Sequence, residues 1–476
     1  MKKNDFPFDG NYDDDDYEEN DKEIEQLVKD FKNKIRNGNH DYFDDDETEA
    51  IILYAFRTFD FTLADHALDY AIKTFPSDSY FRILKVRRHM IEFDAENAEK
   101  ELENIRKMFA PSGEYYLQKA LLMKMKDDNS DVIPILQKAE LLDPESPEIL
   151  FMLASEHLRL GNIKKAFTYA ERSINIDPSM EEQLFSFSLL FDETKKYDNA
   201  IEFFTMLTNS FPLSTDAWGA LALAYSANNE HEKAIEANQY VLSIDDTISP
   251  AYYNIGNSYF ELEQFDKALE NYTAAYNLDN RDFFALTCMG DCHYVRNETD
   301  KAMECYQRAR DLNPEYMNAI TGILSILNDA GKYNETEIFI EKLFNSDIHS
   351  VGILFTVLSF YKAEMQPETM KRLFNTAFEH SPEKTAFFAM FAQFCCHCEE
   401  YELGINLLSD YLDEEFPNNP YYMAAFHYLN QNFAEGAKYL QIALLTNYEN
   451  VDMFMQLDPV LSTYDEIVDM INMYKP

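Results

Sequence analysis

The sequence predicts an all-α fold, a superhelix of about twelve antiparallel helical hairpins stacked along most of the 476 residues. Three observations predict it: a 34-residue recurrence of small and apolar residues, prolines at a constant offset within that step, and only 12 glycines, too few for a fold built on tight β-turns. A hydrophobic share of 46% supplies a core in spite of the charge, so the chain is not read as disordered.

Residues 1–21 come first, with nine acids and two lysines, and read as a solvated, disordered acidic tail. Ile24, Leu27, Val28, Phe31 and Ile35 then fall at helical spacing and Gly38 closes the pattern. Residues 22–44 are therefore expected to hold a leader helix and linker, the apolar stripe docking on the first hairpin. The array follows over residues 45–450. Steps of 34 from Ala64 reach Ala98, Val132, Ala166, Ala200, Ala234, Ala268, Ala302, Thr336, Met370 and Gly404, and seven of these eleven residues are alanine. Four places further along each unit the residues are mostly large and apolar, as at Leu68, Leu102, Leu136, Phe204, Tyr272 and Tyr306. Eight places beyond those stand Pro76, Pro144, Pro178, Pro212, Pro314 and Pro382, with Pro111 and Pro417 one residue late.

The pattern has a physical cause. Small residues let the two helices of a hairpin approach, and proline, lacking an N–H, stops the second helix. A lone hairpin cannot bury its apolar face, so neighbours must stack. The unit from Thr321 to Asp347 is degenerate, with Leu324 and Thr336 in slots that elsewhere hold small residues, and the last, Tyr421 to Asn447, steps 32 residues. Residues 451–476 leave the pattern and are expected to form C-terminal capping helices, with Asp458-Pro459 and Ser462 as helix starts and Phe454, Leu461 and Ile467 among the apolar contacts.

The clearest unit runs Tyr252, Ile255, Gly256, Tyr259, Phe265, Ala268, Tyr272, Ala275. It resembles the tetratricopeptide repeat (TPR), as do the units with Trp218, Leu221, Ala222, Tyr225 and Ala234 and with Met289, Gly290, Ala302, Tyr306, Ala309 and Pro314. The resemblance covers about residues 45–450, a long array of the bacterial type. It implies a right-handed α-α superhelix, a TPR solenoid, whose first helices (A) line a concave groove that receives a peptide, with the second helices (B) behind them.

Charge narrows the partner. Eighty-six acids against 41 bases give a net charge of −45, of which only −7 lies in the tail, so the folded body itself is acidic. That excludes nucleic acid, whose phosphates need Lys and Arg, and anionic membrane surfaces. No apolar leader follows Met1-Lys2-Lys3 and no apolar run nears the ~20 residues of a spanning helix. A cytoplasmic protein without membrane insertion is expected, its six late cysteines reduced.

Candidate chemistry is thin. His89, His157, His293 and His427 fall in the slot where the repeat places tyrosine, which reads as packing. Cys395-Cys396-His397-Cys398-Glu399 diverges around a helix, and Cys288, Cys292 and His293 lack a second ligand pair, so buried thiols are expected rather than metal. Asp44-Asp45-Asp46-Glu47 lacks calcium-loop spacing and suits a helix N-terminus. No phosphate loop, zinc motif or nucleophile elbow occurs, and the repeats leave too little chain for a catalytic domain. No enzyme activity, cofactor or metal is expected.

Function is then expected on the helix-A wall. The resemblance assigns groove positions to Phe151, Phe185, Tyr253, Phe260, Tyr294 and Phe355, read as exposed aromatics, to Glu148, Glu182, Asp192, Glu193, Glu261 and Asp291, read as acidic rims, and to Asn254 and Asn257, which could bond a ligand backbone. The fifth positions, Glu49, Ile83, Leu117, Phe151, Phe185, Gly219, Tyr253, Thr287, Thr321 and Phe355, hold no lysine, so the carboxylate clamp of chaperone-binding members is missing. The expectation is a non-enzymatic scaffold or adaptor binding a basic or amphipathic protein segment. A peptide-responsive regulatory sensor and a self-associating assembly protein are the alternatives.

Overall fold

The computed structural model describes residues 14–37, 42–127, 130–344, 367–381, 383–397, 399–412 and 416–475. Among the described residues every regular element is helical. The chain divides into two compact units, one running to Leu262 and one starting at Glu263.

The first unit opens with a helix, Asp14–Asn37, that starts eight residues inside the segment read as tail. Residues 1–13 and Gly38 lie outside the described residues. Val28 and Phe31 are buried, and the Phe31 ring meets Phe43 edge-on at 5.3 Å, whereas Ile35, expected on the same stripe, is 40% exposed. Lys32 reaches Asp60 at 2.8 Å. Hairpins then follow in the anticipated register: Asp45–Arg57 with Phe61–Thr74, Tyr80–Ile91 with Ala95–Met108, Gly113–Lys126 with Ile133–Leu142, Pro147–Arg159 with Ile163–Ile176, Leu184–Thr194 with Tyr197–Ser210, Thr215–Ala227 with His231–Ile244, and the A helix Ser249–Glu261. Asp44 caps the first of these in a reciprocal capping box with Glu47, the use expected for that acidic run.

In the second unit, helices Phe265–Leu278, Phe283–Val295, Thr299–Leu312, Met317–Asp329 and Tyr333–Phe344 continue the step. Leu324 is buried, and Thr336, also buried, satisfies its hydroxyl on the Lys332 carbonyl at 3.1 Å, so the degenerate unit keeps its packing. A phenylalanine-rich core around Phe374, Phe387, Phe388 and Phe391 joins the helices beyond Pro367. The short helices Val451–Leu457 and Asp465–Met473 close the end by burying Phe454, Leu461 and Ile467 against Tyr421, Tyr428 and Leu440. Asp458 caps the intervening 3-10 turn through the Val460 amide, but the last helix starts after Tyr464 and not at Ser462.

The A-to-B turns share one backbone device. A left-handed residue recurs in steps of 34 at Phe59 and Phe93, then, past Asp127 whose backbone is extended, at Gly161, Lys195, Asn229, Glu263, Asn297 and Gly331, and further on at Glu399 and Gln431. At Asn229 its purpose is explicit: the Asn229 and Glu230 amides return to the Ser226 and Tyr225 carbonyls at 3.0 and 2.8 Å, closing the helix end. Most of these turns use residues other than glycine, so glycine scarcity reflects the residue chosen, not the absence of left-handed turns.

Candidate functional site

The helix-A faces differ along the first unit. In the early hairpins the basic residues are consumed internally: Arg82 pairs with Glu101 at 3.0 Å, Arg87 with Glu114 at 2.5 Å, and Arg88 with Asp65 and Glu92 at 3.1 and 2.7 Å. Lys124 and Glu156 form a buried pair at 3.2 Å. Further along, the helices Leu184–Thr194, Thr215–Ala227 and Ser249–Glu261 carry Asp192, Glu193, Asp216 and Glu261 and no lysine or arginine.

On the first of those three, Phe185, Ser188, Leu189 and Asp192 share a face by helical spacing, with Glu182 in the 3-10 turn just before. Phe185 is 58% exposed, and Asp192 and Glu193 are exposed with no ion pair among the described residues. Glu182 and Asp216 occupy the same position in successive units. Asp216 keeps solvent contact, yet the chain crowded around it pushes its carboxyl up first by desolvation and then by the charge of Glu182. Such crowding of carboxylates favours a cation.

Beside this face lies a cleft of about 290 Å³ whose walls include Phe185, Phe191, Tyr197, Phe204, Leu223 and Ala227, with Ser188 and Asp192 as polar members. The small side chains Ala200, Ala224 and Ala227 line the space and do not fill it. The sequence signal for it was present in the run of alanines in Thr215–Ala227 facing a phenylalanine-rich hairpin, but periodicity scores both as ordinary core.

The other candidates separate. Glu148 is exposed and accepts from the Ser146 hydroxyl at 2.9 Å at its helix start. Phe151, expected on the exposed wall, is instead 7% exposed and stacks on Phe187 at 4.3 Å, because the neighbouring hairpin covers it. Tyr253, Asn254, Asn257 and Phe260 are half-buried along one helix, with Glu261 exposed at its end. In the second unit Asp291 accepts from the Tyr306 hydroxyl at 2.7 Å, and burial pushes its carboxyl up, so it serves the core more than a rim. The Tyr294 hydroxyl donates to Asp329, which with burial holds the phenol above its usual range. Phe355 lies outside the described residues, as does Cys398.

The histidines pack: His157 stacks on Tyr169 at 5.5 Å and His427 on Tyr439 at 5.4 Å, while His293 meets Glu298 at 2.9 Å. Burial pushes the thiols of Cys292 and Cys396 up to about 12, which keeps them in the thiol form at neutral pH. Among the described residues no cluster of three or more His, Cys, Asp or Glu is placed to hold a metal, and no helix is long and apolar enough to cross a membrane.

Family models for the tetratricopeptide repeat match residues 147–180, 249–281 and 283–316. Solved structures similar to this chain include YrrB, described as a TPR protein with an unusual peptide-binding site, at 17% identity and TM-score 0.30 over 39% of this chain and 95% of that one. TTC0263, a thermophilic TPR protein in Thermus thermophilus, is similar at 19% identity and TM-score 0.30 over 38% and 99%. Naa15/Naa10 bound to HypK-THB matches at 16% identity and TM-score 0.38 over 83% of this chain and 62% of that one. No curated protein sequence matches.

Proposed function

The chain is a tetratricopeptide-repeat protein and, from that premise, we propose that this protein-interaction scaffold binds a basic or amphipathic segment of another protein on the helix-A face of its first unit. The observation that carries the reading is the exposed Phe185, set among Glu182, Asp192 and Glu193 on a stretch of three A helices devoid of lysine and arginine. Acidic groups speed the encounter with a basic segment, and an aromatic side chain supplies contact area once it arrives. Tyr253, Phe260 and Glu261 extend the same chemistry along the first unit, and Tyr294 offers it in the second. Basic segments of this kind bind without a carboxylate clamp, whose lysine the fifth positions of the units lack.

Fluorescence anisotropy with a labelled lysine-rich amphipathic peptide tests this. Affinity is expected to fall as salt rises and to drop about tenfold in Phe185→Ala. Binding that ignores both salt and Phe185 sinks the reading.

A further inference from the structure

We propose that the cleft beside helix Leu184–Thr194 is an anchor pocket for one branched-aliphatic or aromatic side chain whose chain neighbour is a lysine or arginine; this rests on the reading above and specifies what the bound segment must carry. The first argument is size. A cavity of about 150 Å³ suffices to hold benzene, and this one measures about 290 Å³ between Phe185, Phe191, Phe204 and Leu223. The walls therefore take one large apolar side chain and leave room for the stem that enters with it.

The second argument is polarity at defined places. Ser188 lines the cleft with its hydroxyl oxygen buried and without a hydrogen-bond partner. A buried hydroxyl left this way costs free energy that an entering backbone amide or carbonyl recovers. Asp192, on the same wall, is exposed and unpaired among the described residues. The helix that carries it ends at Thr194, whose hydroxyl donates to the Leu190 and Phe191 carbonyls at 3.2 and 3.3 Å in place of the amide bonds seen at Asn229 and Glu230. The C-terminal end of a helix carries partial negative charge. Lys195 lies over the Tyr197 ring at 5.9 Å, and Asp192 is the acidic side chain that lines the cleft. A segment placing leucine or phenylalanine in the cleft and its basic neighbour at Asp192 satisfies all of these groups together.

The test uses the full chain and three probes, acetyl-Leu-Arg-amide, acetyl-Leu-Glu-amide and acetyl-Ala-Arg-amide, read by saturation-transfer NMR. Strong transfer to the leucine methyls of the first is expected, about tenfold above either of the others. Ala227→Met fills the cleft and abolishes the signal, while Asp192→Asn, at an exposed position, reduces it. Circular dichroism melting confirms that Ala227→Met folds. Equal transfer to the Leu-Glu probe, no transfer to any probe, or a signal unchanged in a folded Ala227→Met variant overturns the anchor pocket. The amphipathic peptide of the preceding section is titrated in parallel. If it binds wild type and Ala227→Met equally, the wider reading stands and the pocket falls; if only the Leu-Arg probe binds, the pocket stands and the wider reading falls.

Discussion

Lys124 and Glu156 face each other from successive A helices with Nζ 3.2 Å from a carboxylate oxygen and side chains only 7% and 8% exposed. Removing either partner strands a buried charge, which costs about 3–5 kcal/mol. Lys124→Met and Glu156→Leu alone are expected to lower the urea midpoint sharply, and the double variant to recover most of the loss. A double variant as unstable as the sum of the singles would show that the pair is not coupled.

Phe59 sits in a left-handed turn at φ 55° while 69% exposed, so it keeps little burial in return for its strain. Phe59→Gly is expected to stabilise by roughly 0.5–1 kcal/mol, since glycine adopts that conformation freely. The variant's thermal midpoint should rise; a fall would mean that the edge contact with Phe61, 6.0 Å away, matters more than the backbone.

Gly290 and Gly322 clasp the Tyr306 ring from two sides, where an added Cβ would meet ring atoms at 2.6 and 2.5 Å. Gly322→Ala is expected to cost about 1–3 kcal/mol by overpacking, and Tyr306→Leu in the same chain to return part of it. Calorimetry on the single and double variants decides this.

Burial holds the imidazoles of His157 and His427 below their ordinary value of 6.5. The unfolded chain therefore takes up their protons first. Their contribution to stability is intact above pH 6.5 and is lost as pH falls through the depressed folded values. His157→Tyr with His427→Tyr, matching the residue the repeat prefers, should flatten the melting temperature between neutral and mildly acidic pH. A wild-type slope retained in the double variant would place the sensitivity elsewhere.

Phe151 and Phe185 occupy the same repeat position and should respond oppositely. Phe151→Ala removes a ring stacked on Phe187 and is expected to cost about 3–5 kcal/mol. Phe185→Ala, at a 58% exposed site, should leave denaturant stability nearly unchanged. Similar losses in both would contradict the burial difference.

That pair marks how far sequence reaches. Hairpin order was legible because period 34, Ala64 and its successors, and the terminal prolines are local requirements of helix approach and helix termination. The helix start at Asp44 to Glu47 and the packing of His157 and His427 were legible for the same reason. The leader helix was legible in its apolar stripe, where Val28 and Phe31 are buried.

What the sequence by itself determined is therefore the repeat, its register and the acidity of the folded body, each set by residues acting on near neighbours. The tertiary structure alone decided which aromatic is covered and which is open, that Lys124 meets Glu156, and that a cleft stands open beside Phe185. The physical reason is that a repeat position specifies a direction from its own helix, whereas burial depends on the side chains the next hairpin brings against it. Phe187 fills the space over Phe151, while Ala224 and Ala227 leave the space beside Phe185 open.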